Sequence, residues 1–264
     1  MLLAVDLRDV KIIGPKGMFV SWLETSIVIV LVFLIGRYLL KVETKDSIAT
    51  SFGLSICGSS AVVSAATVIK NDEEIVKTII LVMSVFTIPL IPLLPIFGKL
   101  FKLNNDTLGS WIGGSIDSIG AVAASSSIGV AEVFRTAIII KVIQTIWIGP
   151  GVMIISAFWN RTVSPRVLWD NFPKFVFGFF LIALVTTFLP NSNSLRDLTV
   201  ENCFIVSEWF SSMSFVLIGY SLDIFTIHKN LYKHKKILIL YLIGQSIDVL
   251  TTFAASYLMF TVIA

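Results

Sequence analysis

The chain has 264 residues, of which 56% are hydrophobic and only 14% charged, with a mean hydropathy of +0.91 and a net charge of +3. That composition excludes a soluble globular domain, and the small net charge gives no reason to expect a nucleic-acid partner. The expected fold class is all-α: a polytopic helical bundle forming a single transmembrane domain over residues 1–264, in the cell (inner or plasma) membrane.

A bilayer core of roughly 30 Å calls for about 20 apolar residues per helix. In chain order, apolar runs of that length cover 18–40, 75–100, 131–158, 167–189, 200–224 and 235–263. Two further segments, 47–69 and 107–130, have membrane length but are rich in small and polar residues, which suits helices shielded from lipid by their neighbours. About eight membrane-embedded segments are therefore expected. None shows the short alternating strands of a β-barrel. No basic stretch and cleavage site precedes the first run, so no removable signal peptide is expected.

If all eight segments cross, twelve basic residues gather on one side: Arg37, Lys41, Lys45, Lys99, Lys102, Arg161, Arg166, Lys174, Lys229, Lys233, Lys235 and Lys236. Seven gather on the other: Arg8, Lys11, Lys16, Lys70, Lys77, Arg135 and Arg196. The bias places both termini outside the cytoplasm.

The two polar segments repeat each other. GLSICGSSAVVSA begins at Gly53 and GGSIDSIGAVAAS at Gly113, so a shift of 60 residues pairs Gly53 with Gly113, Ser55 with Ser115 and Ile56 with Ile116. In a continuous helix, residues 53, 57, 60 and 64 share a face, as do 113, 117, 120 and 124. Stripes of small residues are common packing seams, which suffices for most of the glycines and alanines. It does not account for Asp117. An ionisable group in mid-membrane costs roughly 2.5–3.5 kcal/mol on insertion scales, so it faces a cavity, a partner or an ion path. Gly- and Ser-rich sequence at that depth also suits a broken helix, whose ends offer N–H groups to anions or carbonyls to cations. Between the segments, Pro89, Pro92 and Pro95 each remove a backbone hydrogen bond, so that helix is expected to bend or end early.

Among the other intramembrane polar residues, Lys141 and Gln144 share a helical face, and Lys141 is expected to pair with Asp117. Asp248 and Glu208 are further intramembrane charges. Asp223 and Glu24 read as solvated carboxylates near helix ends. Asp72, Glu73 and Glu74 suit a helix N-terminus. Cys57 and Cys203 are too few for a disulfide framework, and packing is the expected role of each. His228 and His234 have no carboxylate or cysteine cluster, so no metal is expected. With no nucleophile beside a base and no cofactor motif, the chain is not expected to be an enzyme.

GLSICGSSAVVSAATVIK, followed by GGSIDSIGAVAAS and then AIIIKVIQ, resembles the paired signature of the YeiH-type sulfate-exporter family of membrane proteins. Ser55, Cys57, Gly58, Gly113, Ser115, Asp117 and Lys141 fall on the family pattern, although many relatives carry His at the Asp117 position. The start of the chain resembles an internal helix of the family, so further N-terminal membrane segments are expected in a full-length relative. The resemblance implies an inverted-repeat fold, similar to bile-acid and cation/proton antiporters, with crossing broken helices at the midplane.

The combined expectation is a secondary transporter exporting a small anion, sulfate or an organosulfonate, coupled to protons or cations. Its site would use Gly53, Ser55, Cys57, Gly58, Ser59, Gly113, Gly114, Ser115, Asp117, Gly120, Lys141 and Gln144, with Glu208 and Asp248 as additional charges. Asp117 would carry the proton or cation, and Lys141 would set its charge state. A Na⁺/H⁺-type antiporter and a non-transporting scaffold are the alternatives. Expected partners are the small ion or anion, the lipid bilayer and, as an option, a second copy in a homodimer.

Overall fold

The computed structural model describes residues 7–159 and 234–263, with residues 166, 181, 209, 213 and 216 as isolated helical positions. The expected runs 167–189 and 200–224 lie outside the described residues, as do Cys203, Glu208, Asp223 and His228. Every regular element among the described residues is helical: α1 (Leu7–Leu34), extended by a π-helical turn Ile35–Leu39, α2 (Thr44–Ser55), α3 (Ser59–Ile69), α4 (Glu73–Leu100), α5 (Asn105–Ser115), α6 (Ile119–Ser126), α7 (Ala131–Ile146), α8 (Ile148–Trp159) and α9 (Lys235–Tyr257), which ends in a second π-helical turn, Leu258–Val262.

Among the described residues, four stretches are long and apolar enough to cross a membrane: Ile13–Leu39, Glu73–Leu100, Ala131–Trp159 and Lys235–Val262. The two small-residue segments do not join them. Each breaks after about 18 Å of helix, at 1.5 Å per residue, and folds back. Lys45 Nζ, at the start of α2, donates to Lys70 O, at the end of α3, at 2.9 Å. The second hairpin closes at the opposite end of the bundle: Asn105 Nδ2, opening α5, donates to Glu132 Oε2 in the first turn of α7 at 2.7 Å. A straight α5–α6 rod would have carried Ser126 far from Asn105, yet only residues 127–130 separate Ser126 from α7, whose first turn bonds Asn105.

The charge count over eight crossings is therefore corrected. Segments 47–69 and 107–130 return to the side they entered, which moves Lys70 and Lys77 beside Lys45, and Lys99 and Lys102 beside Lys11 and Lys16. The basic residues at the described helix ends then divide nearly evenly, and the orientation drawn from their bias loses its support.

The repeat seen in the sequence is structural. Sixty residues separate the start of α3 (Ser59) from that of α6 (Ile119) and the end of α2 (Ser55) from that of α5 (Ser115). Each unit is a hairpin followed by a full span, and the two units enter from opposite ends. Lys41 and Lys102 precede the hairpins in matching left-handed backbone, with φ of 53° and 51°.

Local chemistry accounts for the boundaries. Asp72 caps α4 by accepting from Glu74 N at 2.7 Å and Ile75 N at 3.4 Å, as the acidic start predicted. Asn104 caps α5 and Ser118 caps α6. The proline-rich helix does not end early: α4 continues through all three prolines. Pro95 removes the amide that would serve Ile91 O, and Ser125 Oγ on α6 supplies a donor to it at 2.8 Å.

Glycines set the closest approaches. A Cβ on Gly109 would come to 2.6 Å from Val133 O, and one on Gly113 to 2.4 Å from Ala137 O, so α5 and α7 run side by side with backbones almost touching. α9 passes along both hairpins, with Gly244 against Leu54 of α2, Thr252 against Gly114 and Ser256 bonded to Ser110 of α5.

Two predictions follow from this packing. Gly113→Val should lower stability by about 1–3 kcal/mol or more through overpacking, read as a fall in detergent Tm; an unchanged Tm would contradict the close seam. In a cysteine-free background, Lys45→Cys and Lys70→Cys should react with an impermeant thiol reagent from the same side, and Ser127→Cys from the other. Labelling of positions 45 and 70 from opposite sides would contradict the hairpin.

Candidate functional site

The two hairpin tips meet in the middle of the bundle. The first is Ile56–Cys57–Gly58 and the second Ile116–Asp117–Ser118. Gly58 adopts φ 67° and ψ −122°, open essentially to glycine alone, and a Cβ there would stand 3.3 Å from Asp117 Cβ. The stripes expected on continuous helix faces are thus interrupted at their centres, and the interruption is what brings the repeats together.

A broken helix exposes carbonyls at one end and N–H groups at the other. Here the two kinds of end receive different treatment. Side chains meet the carbonyls of Ser55 and Ile56 at the first break and of Gly114 and Ser115 at the second. Gln144 Nε2 on α7 donates to Ser55 O and to Gly114 O, both at 3.1 Å, and so ties the two hairpins together. Lys141 Nζ donates to Ile56 O at 2.6 Å and to Gln144 Oε1 at 2.7 Å. Thr25 Oγ1 on α1 reaches Ser55 O at 3.2 Å, and Gln245 Nε2 on α9 reaches Ser115 O at 2.8 Å.

The N-terminal ends of α3 and α6 instead face a cavity of about 240 Å³. Its walls include Gly58 and Ser59 at the start of α3, Asp117 and Ser118 at the start of α6, and Ser84 and Thr87 of α4. No side chain caps α3. Asp117 is 3% exposed; its Oδ2 accepts from Tyr241 Oη at 2.8 Å and Thr87 Oγ1 at 3.0 Å, while Oδ1 has no partner among the described residues. The cavity thus combines helix N-termini, hydroxyls and one fixed carboxyl. A larger apolar space of about 620 Å³ between α1, α2 and α8 is lined by residues such as Phe33, Phe52 and Trp147 and offers little for chemistry.

Not every expected site residue reaches this cavity. Gly58, Ser59 and Asp117 line it. Ser55 turns its hydroxyl back to Ser51 O in its own helix. Cys57 is buried and free, in an apolar cluster with Phe52 and Ile148. Gly53 packs on Val62 and Met83, Gly113 on Ala137, and Gly114 on Thr252, so these are seams. Gly120 meets open space. Ser115 Oγ is buried without a partner.

Lys141 does not pair with Asp117. Their expected ion pair is replaced by the carbonyl of Ile56 and the carboxamide of Gln144, because the C-terminal end of α2 is itself negative and lies nearer the ammonium's reach. Glu24 is also corrected: it is not a solvated helix-end group but 1% exposed, accepting from Gln144 Nε2 at 3.1 Å. Sequence reasoning missed Thr87, Tyr241 and Gln245. A signal existed for Thr87, polar and two residues before Pro89; an aromatic hydroxyl at 241 carried none.

The profile of the family described as Conserved hypothetical protein 698 matches residues 2–240. The chain belongs to that family. The resemblance read from the paired G-x-S-I segments is thereby confirmed. A UPF0324 membrane protein of Rhodopirellula baltica is 30% identical over 95% of this chain and 49% of its own length. One from Nitratidesulfovibrio vulgaris is 29% identical over 100% of this chain and 48% of its own. One from Lactiplantibacillus plantarum is 26% identical over 88% and 70%, respectively. The chain spans about half the length of the first two relatives. No solved structure matches. With its apolar helices and relatives named as membrane proteins, this family member is an integral membrane protein.

Two substitutions probe the geometry. Gly58→Ala should cost about 1–3 kcal/mol for backbone strain. Gln144→Leu takes a donor from Gly114 O and from Glu24 Oε2, so a loss of roughly 2–6 kcal/mol is expected from ~1–3 kcal/mol per group. Both are read from thermal unfolding in detergent, and a wild-type Tm in Gln144→Leu would contradict the role of its carboxamide.

Proposed function

We propose that the chain forms the core of a secondary transporter of the cell membrane that moves a small anion, sulfate or an organosulfonate, through the cavity between the hairpin tips. The observation that carries this reading is the convergence of two half-helix N-termini, those of α3 and α6, on one small cavity. Backbone N–H groups and the positive ends of helix dipoles favour an anion there. A volume of about 240 Å³ is below the roughly 300–1,000 Å³ of drug-sized pockets, which suits a small solute.

Asp117 supplies the coupling. A carboxylate on the cavity wall repels an incoming anion, and a protonated one donates a hydrogen bond to it, so proton and anion occupancy are linked. Thr87 and Tyr241 hold the carboxyl in place while its Oδ1 stays free for this exchange. Lys141 acts at a distance, through the first hairpin's carbonyl end and its field on Asp117. Hairpins entering from opposite ends support alternating access, since shifting either one opens the cavity to its own side.

The alternative is a Na⁺/H⁺-type antiporter using Asp117 and the hydroxyls as oxygen ligands. The helix N-termini weigh against a cation in this cavity. The test is transport by the full-length protein in proteoliposomes with an internal pH dye, challenged with sulfate, taurine, Na⁺ and Li⁺. A pH change driven by an anion, with its pH dependence abolished in Asp117→Asn, is expected. A signal driven only by Na⁺ or Li⁺, or Asp117→Asn transport with unchanged pH dependence, would overturn this reading.

A further inference from the structure

On the other side of the hairpin tips from the cavity lies a second polar centre that the transport reading does not use. Glu24 of α1 and Asp248 of α9 are 1% and 0% exposed. The two carboxyls are close enough to act on each other, yet among the described residues Asp248 Oδ1 and Oδ2 and Glu24 Oε1 have no donor. Two carboxylates are acceptors only, so this contact is complete only with positive charge between them.

The described residues beside the pair add oxygen, and the buried cation nearby, Lys141, is already held by Ile56 O and Gln144 Oε1. Gln245, one turn before Asp248, gives its Nε2 to Ser115 O and leaves Oε1 unpartnered. Thr252, one turn after, is 0% exposed with its hydroxyl unpartnered and its methyl against Gly114. Ser115 Oγ is likewise orphaned. The network is contiguous, because Gln144 joins Glu24 to Gly114 O, and Gln245 joins α9 to Ser115. A single shared proton would satisfy only two of these oxygens, whereas a dehydrated hard cation takes several at once.

Charge points the same way. Among the described residues of this region, Glu24, Asp117 and Asp248 face one buried cation, Lys141, whose ammonium is already engaged by Ile56 O and Gln144 Oε1. Buried charges in a membrane protein are normally matched, and here positive charge is lacking.

We infer that Glu24 and Asp248, with Gln245, Thr252 and Ser115 beside them, form a Na⁺ site between α1, α9 and the tip of the second hairpin. It rests on the transport reading and deepens it by adding to the proton at Asp117 a second coupling ion, held apart from the anion cavity. A Na⁺ ion there ties the α5 tip to both flanking spans, so its occupancy bears on whether that hairpin can move.

The experiment measures binding, independently of transport. Purified full chain in detergent is assayed for ²²Na⁺ binding and for Tm in NaCl against KCl and choline chloride at equal ionic strength, from pH 6 to 8.5. Expected are saturable binding near one ion per chain and a Tm that rises with Na⁺ and not with choline. Glu24→Gln and Asp248→Asn should weaken binding at least tenfold, and Thr252→Val, which keeps the methyl contact, should weaken it several-fold. Absence of ²²Na⁺ binding in the wild type would overturn the site and leave a proton-sharing pair; binding undiminished in the variants that fold would overturn its location. Loss of anion transport with Na⁺ binding intact would fault the transport reading alone.

Discussion

A helix broken inside a bilayer leaves carbonyl oxygens that lipid cannot satisfy, each costing several kcal/mol, and the rest of this structure follows from how those carbonyls are met. Gln144 is the central group. The two hydrogens of its carboxamide are shared among Ser55 O, Gly114 O and Glu24 Oε2, while its own oxygen takes a hydrogen from Lys141. The two hairpins are therefore fixed to α7 and through it to each other. Thr25 and Gln245 complete the arrangement from α1 and α9.

Meeting the carbonyl ends with protein leaves the N-terminal ends for something else. The same break that leaves carbonyls bonded to side chains on one side places the N-terminal ends of α3 and α6 at a cavity on the other. The division explains why Lys141, the group that looked most like an ion-pair partner for Asp117, serves the backbone. It also separates the molecule's polar interior into a region suited to an anion at Asp117 and an oxygen-rich region at Glu24 and Asp248.

Much of this was legible in the sequence because the constraint is local. A G-x-S-I segment repeated at 60 residues, with serine and glycine at bilayer depth, leads to two broken helices meeting near Asp117. Their re-entrant course was not legible: a break and a return have the same composition, and the return is fixed by contacts such as Lys45 with Lys70 that span a whole hairpin. Glu24 was misread for a related reason. Its place near the start of an apolar run suggested a helix end, but α1 begins at Leu7 and carries the carboxyl well into the bundle. The early end that the prolines allowed does not occur because the donor that rescues Ile91 O comes from Ser125, far along the chain.

The central claim, that tips of opposed hairpins face each other across one small cavity, is tested most directly by chemical cross-linking. In a cysteine-free background, Ser59→Cys and Ser118→Cys place one thiol on each tip, both on the cavity wall. A short bifunctional thiol reagent should join them in the membrane, detected as protection of both thiols and an intact mass increased by one linker. Free thiols at both positions under conditions that join a control pair, Lys45→Cys with Lys70→Cys, would contradict the account.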